Sequence, residues 1–153
     1  MPIPVARGRC RETILGVSSH LDDDYAVDLT DLQRSVLRNG LFQWLGPARP
    51  TDAVASLIGF GDASDLLEQI HRLLVAVDAS EPLSGRDWRR LLISTEVMFG
   101  SDVLGSGVEW PTVTGIADQT AMEALRQIQR LLVAVVRGQG AGADARVERV
   151  DRP

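Results

Sequence analysis

Residues 63–77 read ASDLLEQIHRLLVAV, and residues 121–135 read AMEALRQIQRLLVAV, ten identities in 15 at an offset of 58. In the first copy Leu66, Leu67, Ile70, Leu73, Leu74 and Val77 recur three and four apart, which makes a broad apolar stripe on one side of a helix. The shared Gln-Ile-x-Arg goes beyond what amphipathicity requires and suggests a duplicated unit. Two copies are too few for a solenoid. They predict an all-α fold: an antiparallel four- to five-helix bundle, built as two duplicated helical hairpins whose second halves pack as partners.

Working outward, punctuation marks the other helices. Thr30 with Gln33 three residues later has the form of a capping box, followed by Leu32, Val36, Leu37 and Leu41 at helical spacing. Asn39-Gly40 offers an early kink or stop, and Gly46-Pro47 ends the run. Thr51 opens a short helix over 52–58. Ser84 and Asp87 start another, with Leu83 and Trp88 placed as a hydrophobic staple and an apolar face through Leu91, Leu92, Thr95, Met98 and Phe99. That helix is expected to run as far as 104. Pro111 and the β-branched residues around it predict an extended stretch over 108–115, so 105–118 reads as a Gly-rich crossover loop. Thr120 with Glu123 predicts a last capping box, and Gly138 the helix end. The domain plan is a flexible arm over 1–19, a helical bundle over 20–137 and a disordered tail over 138–153.

Composition removes several chemistries. All 16 basic residues are arginine, so the lysine of a phosphate-binding loop, a kinase strand or a Schiff base is missing. Cys10 is the sole cysteine and His20 and His71 the only histidines, which excludes an internal disulfide and a cysteine zinc cage. No apolar run approaches a membrane span, and the first 20 residues lack the apolar core of a secretory signal. A bacterial cytoplasmic protein without cofactor is the expectation.

Charge is unevenly spread. Residues 12–136 hold 18 acids and 9 arginines, a net of −9, while Arg7, Arg9 and Arg11 and a mixed C-terminal segment flank them. An acidic body repels phosphate backbones and favours encounter with a basic protein. The sequence therefore predicts a non-catalytic protein-binding module, an adaptor or immunity-type inhibitor, monomeric or homodimeric. Its contact edge would be Asp22, Asp23, Asp24, Asp28 and Asp31, with Trp44 or Trp110 as aromatic anchor if exposed. A rival class is a small enzyme or a ligand- or metal-binding bundle. There Glu96, Asp102, Glu109 and Asp118 gather beside Trp110 as oxygen ligands or acid–base groups. A homodimerising module that hides one apolar stripe is a third class. Arg86, Arg89 and Arg90 at a helix start oppose its dipole and call for acidic partners or an anion.

Overall fold

The computed structural model describes residues 20–46, 48–137 and 145–151. Cys10 and the expected arm over 1–19 lie outside these. Thr30 behaves as its spacing predicts: its hydroxyl accepts from the Gln33 amide at 3.2 Å, while Gln33 Oε1 accepts from the Thr30 amide at 3.0 Å. This double cap opens α1, Asp31–Gln43. Thr51 caps α2, Asp52–Ile58, and Gly59 closes it at φ 111°. Asp62 caps α3, Ala63–Ala79. Ser84 accepts from the Asp87 amide and opens α4, Gly85–Gly100. After a single 3-10 turn, Gly107–Glu109, come a short α5, Trp110–Thr114, and a long α6, Asp118–Arg137.

Among the described residues six helices thus dominate, and to them is added a small antiparallel sheet that the all-α expectation does not contain. Its strands are β1, Asp24–Val27, β2, Leu83–Ser84, and β3, Val147–Val150, in the order β2-β1-β3. Asp24 lies opposite both Ser84 and Val150, and Val27 opposite Val147. The expected tail over 138–153 therefore contains a strand. Strands of two to four residues are too short to announce themselves by periodicity, and here each gains its hydrogen bonds from a partner far along the chain.

Other boundaries also move. The segment expected to be extended over 108–115 is largely helical, because Pro111 sits in the first turn of α5, where its missing N–H is no loss. α6 starts at Asp118, whose carboxylate suits the positive end of the helix, so Thr120 is a helical residue and not a cap. α4 stops at Gly100, four residues short of the expected limit. Asn39-Gly40 does not interrupt α1.

α1 is the hub. It packs against α3, α4 and α6, α4 also packs on α6, and α2 fills the angle between α3 and α4. Leu37, Leu41, Leu66, Ile70, Leu91, Met98, Ile128 and Leu132 are all fully buried. The two repeat helices α3 and α6 do not pack as partners: each has its principal contact elsewhere, α3 on α1 and α6 on α4 and α1. Their stripes also differ in depth. Leu125 in α6 is buried, whereas its counterpart Leu67 in α3 is 37% exposed.

The sheet brings Tyr25, the only tyrosine, into the interior, where its hydroxyl donates to the His20 carbonyl. Burial, helped by nearby Asp23 and opposed by Arg149, pushes the phenol above its ordinary 10.0. The folded protein therefore keeps this proton after the unfolded chain has lost it, so stability is fully present below pH 10 and falls as pH rises beyond it. An ultraviolet tyrosinate titration should show ionisation later than free tyrosine, coinciding with alkaline unfolding. A normal titration in still-folded protein would contradict the burial argument.

Candidate functional site

Glycine and serine shape the turn after α4. Ser101 Oγ accepts from the amides of Val103 and Leu104 at 3.2 and 3.0 Å. The Ser106 amide then donates to the Met98 carbonyl, folding the chain back along the helix end. Gly105 lies so close that a Cβ there would sit 2.3 Å from the Met98 oxygen, and Gly107 has φ +42°. Asp102 Oδ1 accepts from the Val108 amide at 2.8 Å and closes the turn. Trp110 pins the far end: it is fully buried, edge-on to Phe99 with centroids 5.3 Å apart.

Between this turn and the chain after α1 lies a groove of about 570 Å³. Asp102, Val103, Val108, Glu109 and Val113 line it from this turn and α5, and Gln43, Ala48 and Arg49 from the end of α1 and the chain that follows. Gln43 is nine-tenths buried, and its Nε2 has no hydrogen-bond partner. Gln43 and Arg49 are not among the residues that the sequence singles out. The signal for Gln43 was available: it follows Val36 by seven residues and so shares the buried face of α1. Arg49, in a loop after Gly46-Pro47, carried none.

Of the carboxylates expected beside Trp110, only Asp102 and Glu109 reach the groove. Glu96 points at α6, where its Oε1 accepts from Gln129 Nε2 at 2.7 Å. Asp118 is exposed in the first turn of α6. The Trp110 ring forms a core contact and not an open pocket wall, since one-helix-turn geometry at α5 directs it inward onto Phe99. Among the described residues, no three His, Cys, Asp or Glu side chains come together as a metal site.

The expected acidic edge is divided. Asp22 pairs with Arg86 at 2.8 Å, and Asp23 with Arg149 at 3.4 Å while facing His20 at 3.8 Å. Asp24 is held in β1, and Asp28 and Asp31 are exposed. Neither aromatic anchor is available, because Trp44 and Trp110 are buried at 2% and 0% exposure. Trp44 Nε1 donates to the Ser94 carbonyl, which holds its ring in the α1–α4 interface.

Two of the three arginines at the start of α4 find acids, Arg86 in Asp22 and Arg90 in Asp87. Asp87 takes Arg72 at 2.8 Å and Arg90 at 3.3 Å, and Arg90 also donates to the Gly59 carbonyl and lies over the Phe60 ring. This cluster ties α2 and α3 to α4. His71 is exposed, whereas its repeat counterpart Gln129 bonds Glu96.

The chain matches no family model, no curated protein and no solved structure. Among the described residues, no helix is long and apolar enough to cross a membrane.

Proposed function

We propose that this chain is a non-catalytic binding module that presents an acidic surface to a basic protein in the cytoplasm, as an adaptor or immunity-type inhibitor. The observation that carries this is the fate of the four carboxylates around Trp110. Glu96 is engaged by Gln129 and Asp102 by a backbone amide, while Glu109 and Asp118 remain in the exposed surface. Acid–base work needs such groups to converge in an enclosed site. Exposed acids suit a different task, raising the encounter rate with an oppositely charged protein. Asp28 and Asp31 remain exposed for that role where the rest of the lead-in is paired.

The finer architecture, two duplicated hairpins, belongs to the same proposal. Its support is the common buried register: Leu66, Ile70, Leu73 and Val77 in α3 match Ala124, Ile128, Leu131 and Val135 in α6, and all eight are buried.

Affinity capture with the full chain from its native host, quantified by mass spectrometry, tests the function. One stoichiometric basic protein is expected, retained at low salt, released progressively at moderate salt, and weakened by Asp28→Asn with Asp31→Asn. Recovery of no stoichiometric partner at either salt, or of an acidic one, contradicts it.

A further inference from the structure

Val103 is 91% exposed, Val108 73% and Val113 59%. Single surface valines need no explanation, but three around one groove form an apolar rim that water covers poorly. The groove's polar groups come from two segments of the chain. Gln43 and Arg49 bring donors from the end of α1 and the chain that follows, and Asp102 and Glu109 bring carboxylates from the turn after α4. The Gln43 amide is nine-tenths buried with its Nε2 unpartnered, and a half-turn about its last torsion exchanges its donor and acceptor ends.

We infer that the groove docks a short extended segment of a protein partner in which an apolar side chain is followed by arginine or lysine. The apolar side chain packs against Val103, Val108 and Val113, a backbone carbonyl accepts from Gln43, and the cation faces the carboxylates of Glu109 and Asp102. A volume of about 570 Å³ suits one large side chain and its neighbouring backbone. Charge complementarity selects the cation, since the chain is net −5 and the groove's two acids, Asp102 and Glu109, outnumber its one base, Arg49. This inference rests on the basic-partner proposal above and adds the place and the sequence class of the contact.

The test uses isotope-labelled full-length chain and three acetylated, amidated pentapeptides, Gly-Leu-Arg-Arg-Gly, Gly-Ser-Arg-Arg-Gly and Gly-Leu-Glu-Glu-Gly, followed by amide chemical shifts. The first should saturably shift the Gln43 side-chain amide and the backbone amides of Val103 and Val108. Both other peptides should bind about tenfold more weakly, as should the first to a Val103→Ser/Val113→Ser variant. Those two side chains are exposed, so an unchanged melting temperature is expected to accompany the loss. Shifts confined to Asp28 and Asp31, equal for the leucine and serine peptides, overturn the groove while leaving a basic partner in place. Equal groove binding of the Arg and Glu peptides overturns the cation and counts against the basic-partner proposal as well. No shift at millimolar peptide overturns the inference, as does a dimer in sedimentation that the double variant dissolves, since a second copy would then fill the groove.

Discussion

Replacing Trp88 by alanine should destabilise the protein by about 3–5 kcal/mol, the range for truncating a buried tryptophan. The side chain is 2% exposed at the first turn of α4, four residues after the Ser84 cap and beside buried Leu83. It also makes a bond that volume alone does not describe: Nε1 donates to the Tyr25 carbonyl of β1 at 2.9 Å. Because Leu83–Ser84 is itself β2, one ring fixes the helix start to both the central and an edge strand. Trp88→Phe keeps most of the apolar contact and removes the donor, so it isolates the bond. Leaving a buried carbonyl unpartnered costs about 1–3 kcal/mol. Urea unfolding gives both values, and amide exchange in β1 should accelerate in each variant. A phenylalanine variant as stable as the parent would show that the Tyr25 carbonyl is satisfied otherwise.

Trp88 also marks where the sequence stops being legible. The Ser84 cap before it is a contact over a few residues and is plain in the order of side chains. So are the Thr30–Gln33 cap and the stripes of α3 and α6. The sheet is different in kind. β1 pairs residue 24 with residues 84 and 150, and none of the three strands exceeds four residues. No local period identifies such a pairing, whose cause is the burial of Tyr25 and Val147 against the helices. The candidate site divides likewise. The length and glycine content of 100–118 single out the turn, and Asp102 and Glu109 do line its groove. The rest of the lining includes Gln43 and Arg49, from a segment more than 50 residues away that carries no motif. Glu96 was misplaced because carboxylate spacing along a helix gives no sign of the competing amide of Gln129 on α6.

Gly40 provides the sharper contrast, since sequence alone suggests it as a helix stop and the structure makes it a close approach of two helices. A Cβ at this position would lie 2.5 Å from Thr95 Cγ2 and 2.7 Å from Thr95 Cβ. In an exposed helix, Gly→Ala gains about 0.5–1 kcal/mol from backbone entropy. Here the sign reverses. Thr95 is fully buried and its hydroxyl donates to the Leu91 carbonyl at 2.9 Å, so its side chain cannot rotate away without losing that bond. The helices must separate instead, along an α1–α4 interface that also contains Trp44. Gly40→Val, which adds branching as well as volume, is expected to lose about 3 kcal/mol, the upper part of the usual range for overpacked cores. Gly40→Ala should lose less, and pairing it with Thr95→Ala should recover only part of the loss, because the Thr95 Cβ itself lies inside contact distance. Denaturant melts of the two single variants and the double variant give the coupling energy. A stabilised Gly40→Ala protein would mean that α1 and α4 are farther apart than this interface requires, and the central position of α1 would have to be abandoned.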